Sequence, residues 1–258
     1  MVTILFHDTI FGPIHSRRLG TSLGVNLMPN DGKICSFDCL YCEAGYNAQG
    51  AGKAGISTRE EVRAALEDKL KAMHAAGDRL DVITFSGNGE PTLHPDFGGV
   101  VADVIALRNK YYPSVKISVL SNSTMIDRPA VAEALLKVDN NILKLDSAVD
   151  ATMRLIDRPA NKEFTVEHVV GHLKKFRHQC IVQTMMVRGE HDGMRIDNTT
   201  DAEIQALLKA YLEIEPAEVM LYSLDRPTPE QRLQKVERDE LERIAEVFRQ
   251  KGIKVQVN

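Results

Sequence analysis

The sequence is short of cysteine, of long apolar runs and of surplus positive charge. Only 4 of its 258 residues are cysteine, too few for a disulfide framework, and a chain of this length buries a substantial core without such staples. No apolar stretch has the length of a membrane span, and no basic segment leads into an apolar one, so a cytoplasmic protein with no membrane contact is expected. The formal net charge of -4 argues against a broad phosphate-binding surface of the kind that non-specific nucleic-acid binding needs. Repeats are missing too: the tripeptide Asp-Arg-Pro recurs from Asp127, Asp157 and Asp225, but at unequal spacing.

What is present is an alternation of strand-length apolar runs with longer helix-periodic segments. Strands are predicted over 24–28, 80–85, 115–120, 141–145, 181–187 and 217–221, with a further one over 253–257. Helices are predicted over 58–75, 98–110, 130–137, 166–177, 201–213 and 238–251. Thr58 with Glu61 has the form of a capping box, and Pro129 suits the first turn of the helix that follows it. Such alternation implies right-handed βαβ units, a parallel sheet and outer helices. The expected fold is therefore α/β, a partial barrel of about six βα units. One domain is expected over 1–258, with its core at 20–225 and a C-terminal helix and strand in 226–258.

Ligands of such sheets bind beyond the carboxyl ends of the strands, and the chemically unusual residues follow those ends. In order they are the cysteine loop, Ser86 to Pro91, Ser121-Asn122-Ser123, Asp146-Ser147, Arg188-Gly189-Glu190 and Tyr222-Ser223. Cys35, Cys39 and Cys42 place three thiolates on one short loop, and thiolates are the usual protein ligands of iron-sulfur clusters. Three ligands on a cubane leave one iron open to a substrate. Zinc is the competing chemistry, but its structural sites close with four ligands, which here would require His15 or the distant Cys180. Cys180 itself reads as an inert small residue, and Met185, Met186 and Met194 as core filling or pocket lining.

The segment Cys-x3-Cys-x2-Cys with Tyr41 before its last cysteine resembles the signature of the radical S-adenosylmethionine (SAM) superfamily. That resemblance implies a 4Fe-4S cluster on Cys35, Cys39 and Cys42, with SAM on the open iron. It also implies reductive cleavage to a 5'-deoxyadenosyl radical that abstracts hydrogen from a substrate. The segment Gly87-Asn88-Gly89-Glu90 resembles the superfamily's glycine-glycine-glutamate segment, and Ser121 and Asn122 stand where the superfamily contacts SAM. Tyr41, Lys144, Asp146, Gln183 and Tyr222 complete the cofactor-binding set that the resemblance suggests.

A narrower likeness runs along nearly the whole chain. Phe11 to Leu19 with Gly20, the Gly87 to Thr92 segment, Leu143 to Asp146, Gln183-Thr184 and the Asp-Arg-Pro tripeptides resemble a wyosine-type branch of that superfamily. The best-known members of this branch rebuild a guanine in transfer RNA. A second cysteine set, a flavodoxin segment and a basic character are lacking here, so an unidentified substrate and a transfer RNA both stay open. A reductase such as flavodoxin or ferredoxin is the expected partner. Arg17 and Arg18 are candidates for the substrate site, and Arg158, Arg188 and Arg226 could join them in an anion pocket or pair with surface carboxylates. An iron-sulfur electron carrier and a zinc-stabilised binding module are the non-enzymatic alternatives.

Overall fold

The structure is a computed structural model that describes residues 3–16 and 19–258. It opens with an antiparallel hairpin of β1 (Ile10–Ser16) and β2 (Gly20–Val25). From β2 onward the chain winds through α1 (Arg59–Ala76), β3 (Val82–Phe85), α2 (Phe97–Tyr111), β4 (Lys116–Ser121), α3 (Pro129–Leu135) and β5 (Asn140–Lys144). Next come α4 (Asp150–Asp157), α5 (Val166–Leu173), β6 (Cys180–Met185), and the hairpin β7 (Val187–His191) with β8 (Met194–Asp197). The chain finishes with α6 (Asp201–Ile214), β9 (Glu218–Tyr222), β10 (Gln234–Lys235), α7 (Arg238–Arg249) and β11 (Val255–Val257).

The main sheet has the order β1-β2-β3-β4-β5-β6-β9-β11. Every neighbouring pair beyond the first hairpin is parallel. Its edges, β1 and β11, do not pair, so the sheet is a barrel left open on one side. The predicted strands and helices all form, with ends moved by a few residues. The predicted strand at 24–28 begins earlier, at Gly20, because β1 pairs with it from Gly20 to Val25.

Local chemistry explains the helix starts. The Thr58 hydroxyl accepts from the Glu61 N–H at 3.2 Å while the Glu61 carboxylate accepts from the Thr58 N–H at 2.7 Å, and α3 begins on Pro129. Side chains alternate across each strand. Outward residues such as Ile83, Phe85, Ile117, Val119, Leu143 and Val182 join the core beneath the helices. Inward ones are in part polar: Ser22 and Thr84 hydroxyls meet at 2.8 Å, and Asn140 donates to Ser118 at 2.8 Å.

The sequence pattern did not anticipate β1, α4 or the small antiparallel sheet β10-β7-β8. Arg188, Gly189 and Glu190, expected as a loop, form part of β7. A second apolar cluster of Leu40, Ile156, Met185, Val187 and Ile196 fastens this sheet and α4 to the cysteine loop.

Candidate active site

The cysteine loop follows β2 and is held from two directions. On one side Ile34 bridges to the Gly87 to Glu90 segment: the Ile34 N–H donates to the Asn88 carbonyl at 3.2 Å and the Glu90 N–H to the Ile34 carbonyl at 3.1 Å. Gly89 lies at φ 148°, and a Cβ there would stand 1.8 Å from the Ile34 carbonyl oxygen, so only glycine allows this approach. On the other side the last turn of α4 receives the loop, with Leu40 N–H on the Ile156 carbonyl and Asp38 N–H on the Asp157 carbonyl, both at 3.0 Å. The Asn47 amide spans the loop's inside, donating to the Cys35 and Phe37 carbonyls at 3.2 and 3.0 Å.

Cys35, Cys39 and Cys42 are half-buried and free of disulfides. Burial pushes the Cys35 thiol up to about 12 and Cys39 well above the usual thiol range, so these sulfurs become thiolates only with a positive centre beside them. Among the described residues no three His, Cys, Asp or Glu side chains, these cysteines included, converge on one single-ion position. Cys180 packs in the main core at the opposite, N-terminal end of β6.

Behind the loop lies a saturated polar network. The Asn122 amide donates to the Cys35 sulfur at 3.5 Å and to the Ser36 hydroxyl at 2.9 Å, while its oxygen accepts from the Thr124 N–H and hydroxyl at 3.1 and 2.8 Å. Glu90, buried, accepts from the Asn122 N–H at 2.6 Å and from Thr92. Burial raises its pKa, against the pull of these bonds. The Asn88 side chain binds the Phe6 N–H and the Phe6 and Pro29 carbonyls, each at 2.8 Å. The side chains of Asn88, Glu90 and Asn122 are thus engaged by the protein itself. That leaves backbone, together with the buried and unpartnered Nδ2 of Asn26 beside Gly87, as the polar groups available in this segment.

Tyr41, Lys144, Asp146 and Asp157 form one buried knot. Lys144 contacts the Tyr41 hydroxyl and Asp146, and stands 2.9 Å from Asp157; the Tyr41 hydroxyl also donates to Asp146. Burial opposes the Lys144 charge, but the two aspartates outweigh it and hold its pKa well above the usual value. Asp157 is pushed up to about 8 by burial, with Lys144 opposing the rise and Asp146 adding to it. Asp146 further accepts the Met185 N–H at 2.9 Å, tying β5 to β6.

The barrel interior holds a cavity of about 420 Å³. Tyr41, Ser86, Gln183, Met185, Met220 and Tyr222 line it, together with the solvent-exposed Ile14, Lys235 and Arg238 and the half-buried Asn258. Among the described residues Gln183 offers its amide to no partner but the Met220 thioether, at 3.7 Å. Of the other expected pocket residues, Met186 is core and Met194 is surface. Arg158 and Arg188 are committed to Asp38 and Glu240, and Arg226, bound to Glu43 at 2.6 Å, lines the cavity. Arg17 and Arg18 lie outside the described residues. Asn26, Asp157, Lys235 and Arg238 were not singled out from sequence; only Asp157 carried a signal, through its tripeptide.

Residues 30–202 match the Radical SAM superfamily. The chain belongs to that superfamily. Its sequence relatives are UPF0026 proteins, a group to which it also belongs: one from Synechocystis sp. is 31% identical over 86% of this chain and 78% of its own length. One from Helicobacter pylori is 30% identical over 85% and 67%. A protein of Brachyspira hyodysenteriae named GTPase Obg is 28% identical over 93% of this chain but only 33% of its own length. This radical SAM chain has no Gly-x4-Gly-Lys-Ser/Thr phosphate loop.

Solved structures agree on the fold. A radical SAM methyltransferase from Sphaerobacter thermophilus superposes with TM-score 0.67 at 18% identity, covering 92% of this chain and 65% of that one. SuiB of Streptococcus suis bound to SAM gives 0.64 at 14% identity, over 91% and 50%. TYW1 with a lysine-pyruvate adduct gives 0.56 at 18% identity, over 90% and 75%. Radical SAM proteins of this fold hold SAM and a 4Fe-4S cluster. The residues here fit both: three thiols without disulfide partners on one pinned loop, an amide aimed at one of the sulfurs, and a glycine cradle beside an orphaned buried amide. Among the described residues no helix is long and apolar enough to cross a membrane.

Proposed function

We propose that this protein cleaves SAM reductively and directs the resulting radical at a substrate of small-molecule size held in the barrel cavity. The observation that carries the reading is the pinned three-thiol loop with the Asn122 amide on Cys35. Cys35, Cys39 and Cys42 would hold a 4Fe-4S cluster, which when bound would supply the electron for reductive cleavage of SAM and so for hydrogen abstraction from the substrate.

The protein's own residues set the conditions. Asn122 donates to a ligand sulfur, and hydrogen bonds of this kind stabilise the more negative, reduced state. Lys144, held beside Tyr41 by two aspartates, favours negative charge on Cys39, and Asp157 opposes it. Leu120, Ile142, Met185 and Met220 give the cavity apolar walls, which keep water away from a reactive species. A cavity of about 420 Å³, whose lining includes the expected SAM contacts Tyr41, Gln183 and Tyr222, is in the range of small-molecule sites and would be shared by SAM and substrate, and the net charge of -4 gives no support to a broad RNA-binding face. A one-electron donor of the flavodoxin or ferredoxin type is the partner this chemistry requires.

The test is anaerobic reconstitution with iron and sulfide, reduction with dithionite, addition of SAM and an assay for 5'-deoxyadenosine. The parent should form it, and a variant with Cys35, Cys39 and Cys42 all changed to Ala should not. A parent that holds no cluster would refute the reading.

A further inference from the structure

Resting on the reading of the cavity as the substrate chamber, we propose that Lys235 and Arg238 form an anion subsite at its outer end. It takes a carboxylate or phosphate group carried by the substrate.

Three arginines on or beside the small sheet β10-β7-β8 are paired. Arg195 is bound to Asp197 at 2.9 Å, Arg232 to Glu190 at 3.0 Å and Glu230 at 3.2 Å, and Arg188 to Glu240. These charges are neutralised in place. Lys235 and Arg238 differ: both line the cavity with solvent-exposed side chains. Lys235 has no ion pair among the described residues. Arg238, its side chain 71% exposed, approaches among the described residues the Glu242 carboxylate alone, at 3.8 Å one helical turn away, and that carboxylate already holds Arg249 at 3.0 Å.

Two carboxylates, Glu43 and Asp225, also line this cavity. Glu43 is bound to Arg226 at 2.6 Å and Asp225 is also engaged, while Lys235 and Arg238 belong to β10 and the first turn of α7. The buried and half-buried Leu120, Ile142, Gln183 and Met220 bring no charge to the lining. The cavity is therefore neutral where its lining is buried and cationic at the exposed rim that Lys235 and Arg238 supply. A molecule with a neutral body and one anionic end matches that gradient. The guanidinium would grip an oxyanion with its planar fork and the ammonium would add a point charge. With a net charge of -4 the chain as a whole does not attract anions, so recognition depends on this local pair.

The test titrates phenyl phosphate, benzoate and neutral benzyl alcohol into the reconstituted, SAM-bound protein by ligand-observed NMR. The same titration is run on Lys235→Gln/Arg238→Gln and on a control pair, Lys71→Gln/Lys209→Gln, which removes the same charge from exposed positions on α1 and α6. The parent and the control pair should bind at least one anionic probe about tenfold or more tightly than the alcohol, and the cavity pair should lose that preference. A preference for phenyl phosphate would identify a phosphate monoester as the natural group, and one for benzoate a carboxylate. Equal affinity for all three probes in the parent, or an equal loss in both variant pairs, would overturn the subsite. Thermal melting checks that the variants fold. Iron and sulfide content, measured separately, tells a failed cluster from a failed anion site.

Discussion

The two sides of the barrel mouth treat their polar side chains in opposite ways. On the cysteine-loop side, Asn122 uses its whole amide on Cys35, Ser36 and Thr124, Asn88 uses its own on Phe6 and Pro29, and Lys144 is enclosed by Asp146, Asp157 and Tyr41. On the open, cavity-lining side, Gln183, the register partner of Lys144, has among the described residues a thioether alone, at 3.7 Å, and the exposed Lys235 and Arg238 line the cavity. A saturated buried network has one geometry and penalises departure from it, which suits a site for a fixed group. Unspent groups around a cavity suit a ligand that comes and goes. Substitutions on the first side should therefore cost stability and cluster assembly, and those on the second should cost binding alone.

The largest effect should follow Gly89→Ala, because the added methyl collides with the Ile34 carbonyl and the positive φ is costly for alanine. A loss of about 3 kcal/mol or more in urea unfolding, with little cluster incorporated, is expected. Lys144→Met leaves two buried aspartates without their cation and should cost about 3 kcal/mol in the same assay. Gln183→Leu is the counterpart on the open side. It should change unfolding by no more than about 1 kcal/mol while altering ligand binding, and an equal loss in both variants would dissolve the distinction.

Asn122→Asp keeps the shape but replaces the donor on Cys35 with an oxygen. The cluster's midpoint potential should fall by on the order of 60 mV, a tenfold change for a one-electron couple, in an EPR-monitored redox titration. The smallest effect concerns Glu230. Hydrogen bonds from Arg232, with His191 assisting, hold its carboxyl down at about 2, and its backbone N–H is bound to the Leu40 carbonyl at 3.2 Å. A depressed carboxyl stabilises the fold above its unfolded value and loses that contribution as pH falls through about 2. Glu230→Gln should therefore flatten the acid limb of a circular-dichroism stability profile and leave neutral pH less stable.

Most of the parallel sheet was legible because each of its strands is buried on both faces and reads as an apolar run, as Val-Ile-Thr-Phe does in β3. The hairpin strand β1 and the sheet β10-β7-β8 escaped because they are exposed, short or glycine-bearing. The cysteine spacing singled out Cys35, Cys39 and Cys42 as the candidate metal ligands directly. Spacing could not show that Asn122 turns its amide to Cys35 or that α4 receives the loop through Ile156 and Asp157, since those contacts cross more than eighty positions of sequence. Lys235 and Arg238 were invisible for another reason: a lysine and an arginine in a charged segment read as solvated surface, which they are, and only the fold shows that this surface borders a cavity.

The most direct measurement is the EPR spectrum of the dithionite-reduced, reconstituted protein with and without SAM. A reduced 4Fe-4S signal that changes shape when SAM is added is expected if three thiolates hold the cluster and one iron is open. A signal indifferent to SAM, or iron bound only as single ions, would contradict the assignment of the cysteine-loop side.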